Sequence, residues 1–142
     1  MTIERLDHYS IRTTDVETTR KFYTEALGLE VGPRPDFPFP GVWLYQGPIA
    51  VVHVVGIDPA NTAGLQDYLG DRPADAETQG TGSPGTGSID HVAFLGRDVD
   101  AMRAHFQSAA IAFRERTVPT MNLKQIFIDD PNGITIELNF PQ

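Results

Sequence analysis

Three histidines and one glutamate fall at repeated places in this chain, and they are its side chains best suited to chemistry. His8 lies in Leu6–Asp7–His8–Tyr9–Ser10–Ile11, and His91 lies in Ile89–Asp90–His91–Val92–Ala93–Phe94, 83 positions further on. His53 ends Val51–Val52–His53, and Glu137 ends Thr135–Ile136–Glu137, an echo offset by 84. A lone histidine on an apolar strand is most often a satisfied core residue, but four polar side chains at equivalent places in two copies weaken that reading. Glu137 also interrupts an apolar run, 134–140, sharing a face with Thr135 and Asn139 while Ile136, Leu138 and Phe140 face the other way, and a buried carboxylate there is costly without a partner. A cation with imidazole neighbours would offset that cost. Three imidazoles and a carboxylate suit one divalent transition metal per site (Zn, Fe, Ni, Co or Mn), and are too rich in nitrogen to favour magnesium or calcium. The chain has no cysteine, so thiolate ligands and disulfides are excluded. The fourth histidine, His105, falls on a helix among polar neighbours and reads as a surface residue.

The elements that must position these groups follow from the repeat. Residues 3–12 alternate as a strand, with His8, Ser10 and Arg12 on one face and Tyr9 and Ile11 on the other. Thr13 and Thr14 can cap a helix with Asp15 and Glu17 in its first turn and Val16, Phe22, Tyr23, Ala26 and Leu27 on its apolar face, ended by Gly28. A short strand at 29–32 precedes a loop, 33–41, in which Pro33, Pro35, Pro38 and Pro40 bar regular structure around Phe37 and Phe39. Strands at 42–46 and 50–57 make a hairpin, and a weak helical signal surrounds Leu65, Tyr68 and Leu69. The second copy has a strand at 88–95 and a helix at 98–110 with Val99, Met102, Phe106 and Ala109 inward. A strand at 111–118 and a hairpin of 124–129 with 134–140 follow, turning on Asp130–Pro131–Asn132–Gly133. The expected organisation is one α+β domain of two βαβββ modules, 1–69 and 89–142. Between them, 70–88 is rich in Gly, Pro, Ser and Thr and reads as a flexible linker whose shortening costs little.

Composition narrows the partners. A length of 142 residues with 40% hydrophobic side chains suits one compact domain. The net charge of −8 repels a phosphate backbone, which argues against nucleic acid. The N-terminal stretch lacks the apolar run of a signal peptide, and nothing reaches 18 consecutive apolar residues, so no membrane contact and a cytoplasmic location are expected.

These motifs resemble the vicinal oxygen chelate superfamily, which includes glyoxalase I, methylmalonyl-CoA epimerase, extradiol dioxygenases, and fosfomycin and bleomycin resistance proteins. The resemblance spans the whole chain. It rests on Leu6–Asp7–His8, Ile89–Asp90–His91, Phe22–Tyr23 with Leu27–Gly28–Leu29, and Asp129–Asp130–Pro131–Asn132–Gly133 before Ile136–Glu137–Leu138. It implies glyoxalase-like modules forming half-cup sheets around a metal site, with ligands on the first and last strand of each module. By position those ligands are His8, His53, His91 and Glu137. Glyoxalase I usually has Glu where this chain has His53, and the epimerase usually has Gln.

Four protein ligands leave two open positions on a six-coordinate metal, enough for a small substrate chelating through two oxygens. That favours an isomerase, epimerase or lyase in which the metal acts as a Lewis acid. Extradiol cleavage with Fe(II) needs a third position, which a bound His53 would occupy; it is the alternative, and a small-molecule binding or resistance protein without catalysis is the second. Glu137 is the first candidate for the base, as a ligand Glu is in glyoxalase I by resemblance, and His53 the second. Ser10, Arg12 and Gln125 are weaker candidates for substrate contact, with Phe37, Phe39 and Trp43 as an apolar wall. A homodimer is expected, with modules pairing within one chain or across two.

Overall fold

The computed structural model describes residues 5–58, 60, 89 and 91–142. The chain divides into two compact units, Met1–Gln79 and Gly80–Gln142. The expected linker, 70–88, and the helical signal around Leu65 lie outside the described residues.

In the first unit the order is β1 (Tyr9–Thr13), α1 (Val16–Leu27), β2 (Glu30–Gly32), β3 (Gly41–Gln46) and β4 (Ile49–Gly56). In space the strands run β1-β4-β3-β2, and β1 and β4 are parallel. The second unit repeats this with β5 (Val92–Leu95), α2 (Val99–Ser108), β6 (Arg114–Val118), β7 (Leu123–Asp129) and β8 (Thr135–Pro141). Its strand order is β5-β8-β7-β6, again with the first and last strands parallel. Both units are therefore βαβββ modules, and the protein is α+β.

Each sheet buries one face. In the first, Ile11, Leu44, Val52 and Val54 are all but inaccessible and share a face by register. Helix α1 packs against β2, β3 and β4, and Thr19, Tyr23 and Ala26 are its buried residues. In the second sheet Ile126, Ile128, Ile136, Leu138 and Phe140 are buried, while Val99 and Phe106 are the buried residues of α2. The Phe106 and Phe113 rings meet at 5.7 Å. Burying an aromatic side chain of this size removes enough apolar surface from water to contribute roughly 1.5–3 kcal/mol.

Three local expectations need correction. The strands expected over 3–12 and 88–95, and so to include His8 and His91, begin just past each histidine, at Tyr9 and Val92. In the second module the reason is plain: Val92 faces Ile136, so His91 lies level with Thr135, where β8 itself begins. Helix α1 is capped by Asp15 rather than by Thr13 or Thr14; its carboxylate accepts from Thr18 N at 2.9 Å, and Thr13 Oγ1 instead accepts from Asp15 N. An ionised carboxylate is the stronger acceptor for an unpaired helix N–H. Ala109 is exposed rather than inward, because α2 ends at Ser108 and Ala110 turns to φ 55°. The expected stop at Gly28 is present, with φ 68°.

Candidate functional site

The four ligand candidates come together as two pairs, one in each module. Parallel pairing of first and last strands is the cause. In the first module Ser10 lies level with His53, and His53 with Trp43, so all three share the face opposite α1. His8, two residues before Ser10, reaches the same face. Its ring stacks on that of His53 with centroids 3.7 Å apart and planes 15° from parallel. The other face of His53 stacks on Trp43 at 3.9 Å and 8°. His53 is thus the middle of a three-ring stack and is only 9% exposed. Its burial, and then the nearby His8, hold its pKa below the ordinary 6.5, against a hydrogen bond to the Ala50 backbone and the Asp7 charge that act the other way. At neutral pH the His53 ring is uncharged, the form that donates a lone pair.

His8 has a different support. Its Nδ1 lies 2.7 Å from Asp7 Oδ2, and that hydrogen bond is the main cause holding the Asp7 carboxyl below its usual range. With the carboxylate ionised Nδ1–H is the donor, and Nε2 is the ring nitrogen turned away from Asp7. The counterpart of Asp7, Asp90, lies outside the described residues.

The proline-rich loop closes over the same face. Phe37 and Phe39 stack at 5.1 Å, Phe37 meets Trp43 at 6.4 Å, and Phe39 packs with Val55 and Ile57. Arg34 holds the loop: its guanidinium lies 5.1 Å from both phenylalanine rings and its Nη2 donates to Phe39 O at 2.8 Å. Gly41 permits this approach, since a Cβ there would stand 2.3 Å from Val54 O and 3.2 Å from Arg34 Nη2. Phe37, Phe39 and Trp43 therefore gather where an apolar wall was expected. Ser10 is exposed on the His53 face, and Arg12, level with Val55, shares it.

In the second module the pair is His91 and Glu137, with His91 Nε2 3.3 Å from Glu137 Oε2. The turn that precedes β8 sets this up. Asp130 Oδ1 accepts from the N–H groups of Asn132 and Ile134, both at 2.8 Å, and fixes the β7–β8 register. That register sets Glu137 level with Phe127 and Asn139 level with Gln125, on the face opposite Ile136 and Leu138. Glu137 is 8% exposed, and Gln125 is buried beside it. Glu137 Oε1 accepts from Gln125 Nε2 at 3.0 Å and from Asn139 Nδ2 at 2.7 Å. Gln125 Nε2 also donates to Asn139 Oδ1 at 2.8 Å, and Gln125 Oε1 accepts from Arg116 Nε at 2.9 Å. One carboxylate oxygen is thus held by neutral amides, while the other faces His91.

The donors fit a transition metal in type. Two ligands at roughly 2.0–2.2 Å from one ion, at about a right angle or slightly wider, stand about 3.0–3.3 Å apart, the separation of His91 Nε2 and Glu137 Oε2. The rings of His8 and His53 lie in nearly parallel planes, so one ring must turn for both in-plane lone pairs to aim squarely at a single ion. Among the described residues no three metal-competent side chains form a ligand group within reach of one ion. His105 is exposed on α2. Sequence reasoning did not find Arg116, Arg34 or the role of Asp7. Asn139 was foreshadowed only by sharing parity with Glu137.

The family model described as the Glyoxalase/Bleomycin resistance protein/Dioxygenase superfamily matches residues 5–138, and the chain belongs to that superfamily. Solved structures of similar fold include a glyoxalase family protein from Bacillus anthracis, at 20% identity and a TM-score of 0.68, covering 100% of this chain and 98% of the other. An antibiotic binding protein from Streptomyces sp. CB03234, TnmS3, is 21% identical at a TM-score of 0.64, covering 100% and 99%. Lactoylglutathione lyase from Agrobacterium tumefaciens is 17% identical at 0.60, covering 99% and 96%. No curated protein matches the chain. Among the described residues no helix is long and apolar enough to cross a membrane.

Proposed function

We propose that this chain is a metal-dependent enzyme of the isomerase, epimerase or lyase type, acting on a small substrate that presents two oxygens to the metal. The observation that carries the reading is the buried Glu137 of β8, paired with His91 just before β5, in the position of the second module equivalent to that where His53 of β4 meets His8 just before β1 in the first. His8, His53, His91 and Glu137 would hold one divalent transition metal, which would supply a Lewis acid stabilising negative charge on a chelated oxygen. Glu137 is the proton acceptor. Gln125 and Asn139 hold its Oε1, so Oε2 is the oxygen that would be released when substrate binds and take a proton from the carbon beside a carbonyl, the electron pair staying on the substrate. His53, kept uncharged, is the second proton carrier. Trp43, Phe37 and Phe39 exclude water from the first module's share of the site. A homodimer belongs to the same proposal, and sedimentation of the purified protein tests it.

The testing experiment is elemental analysis of anaerobically purified protein, followed by a screen of α-hydroxy-carbonyl compounds and catechols. Stoichiometric metal in the wild type, reduced in His53→Ala and partly restored with activity by added metal, is the expected result. Full occupancy in His53→Ala, with O₂ consumption by the wild type on a catechol, would replace the proposal with extradiol cleavage. A second reading, a small-molecule binding protein without catalysis, is favoured by the rings gathered around His53. Sub-stoichiometric metal with tight binding of a flat ligand would select it.

A further inference from the structure

Arg116 stands out among the described residues of the Glu137 face because its charge is met by an amide and a ring. It shares β6 with Arg114, two residues away and on the same side of the strand. Arg114 pairs with Asp129 at 2.8 Å, as Arg103 on α2 pairs with Asp100 and Glu115. Arg116 instead spends its Nε on the neutral Gln125 Oε1, and its guanidinium lies 5.8 Å from the Phe127 ring. Among the described residues no carboxylate forms an ion pair with it.

The register explains what the arrangement achieves. Arg116 lies level with Gln125, and Gln125 with Asn139, one row from Phe127 and Glu137. Arginine can only donate, so Gln125 must offer Arg116 its carbonyl oxygen and turn its amino group toward Glu137. The amide keeps the cation from pairing with Glu137 directly, which would occupy the carboxylate oxygen that faces His91. The ring and the amide also hold the guanidinium in place, so little freedom remains to be lost when it receives a ligand. Its two outer amino groups form a flat fork of the shape that takes a carboxylate or phosphate through two hydrogen bonds.

We propose that Arg116 is the anion-recognising residue of the Glu137 site, and that the substrate carries a carboxylate or phosphoryl group besides the oxygens it offers the metal. This rests on the reading of Glu137 as a site residue, but its test does not depend on turnover. Full-length protein would be titrated with inorganic phosphate and, separately, with malonate, following the arginine Nε–Hε signals by NMR. The Arg116 signal, identified by its loss in Arg116→Gln, is expected to move saturably with at least one anion. Saturation by malonate alone identifies a carboxylate, and saturation by phosphate alone identifies a phosphoryl group. Arg116→Gln should weaken that anion's affinity about tenfold, the effect of losing charge-assisted hydrogen bonds, and Arg114→Gln should change it less than about twofold. A stationary Arg116 signal with both anions, or equal affinity in Arg116→Gln, would overturn the proposal. Metal content of Glu137→Gln reads the proposed function separately. If metal were unchanged there while anion binding fell in Arg116→Gln, the role of Glu137 would fall and this inference would stand.

Discussion

The two modules share one topology and set a donor pair at the same place, yet they hold those pairs by opposite means. In the first, His53 lies between two rings, Trp43 and His8, with a phenylalanine loop beside them. In the second, Glu137 lies among amides, with Gln125 and Asn139 on one oxygen and Arg116 behind Gln125. The donor type dictates the difference. A neutral imidazole is flat and loses little on burial against other rings, whereas a carboxylate without donors loses several kcal/mol on leaving water. A sequence repeat can therefore preserve where a polar side chain sits while the side chains packed around it diverge.

Breaking each support in turn tests this contrast, and the cores come first because their loss is largest. Phe106→Ala and Leu44→Ala, in the second and first modules, should each cost about 2–5 kcal/mol in denaturant unfolding. Losses well below 1 kcal/mol in either would mean that module's packing is not as described. Next, if Glu137 holds a metal as proposed, Gln125→Leu should lower metal affinity by about 10–100-fold, the usual effect of removing a ligand's outer partner. It should also cost about 1–3 kcal/mol, because Glu137 Oε1 loses a donor. Trp43→Leu removes only a stacking partner, so it should lower metal affinity less than Gln125→Leu does. The reverse order, read by competition with a chelating dye, would erase the contrast drawn above.

A smaller effect concerns pH. Because burial depresses the pKa of His53, the unfolded chain takes up a proton first as pH falls past the ordinary value of 6.5. Stability from this group is thus fully present above that value and is lost as pH falls through the folded pKa. Metal-free wild type should lose stability over that range, and His53→Phe should lose less. Identical profiles for the two proteins would show that His53 is not buried as described. Last, Arg114→Ala should change stability by no more than about 1 kcal/mol, since its ion pair with Asp129 is about half exposed. A larger loss would give that edge strand a role in the fold that its exposure does not suggest.

Much of this was legible in the chain because the repeat supplied long-range information that local patterns lack. The resemblance, which puts ligands on the first and last strand of each module, implied that those strands lie near one another, and β1/β4 and β5/β8 are neighbours. Parity separated Glu137 and Asn139 from Ile136 and Leu138. Arg116 was not legible because its place depends on which residue of β7 it meets, and strand register across a long connection leaves no local mark. Arg34 was hidden for a similar reason, since the prolines excluded regular structure without saying where the loop would lie. Asp15 was missed as a cap because two threonines precede it and all three are good caps; only the geometry chose.

The chain's single tryptophan is stacked on His53, and this gives the molecule an internal gauge. Indole emission is sensitive to an imidazole in face-to-face contact, so the state of His53 should register in intrinsic fluorescence without any label. The gauge also has a clock in it. The Trp43–His53 contact belongs to the β3–β4 hairpin and can form early, whereas the His8–His53 stack requires β1 to dock beside β4 across most of the module. During refolding, the emission should settle in two stages, the later one marking the moment when the histidine pair is complete.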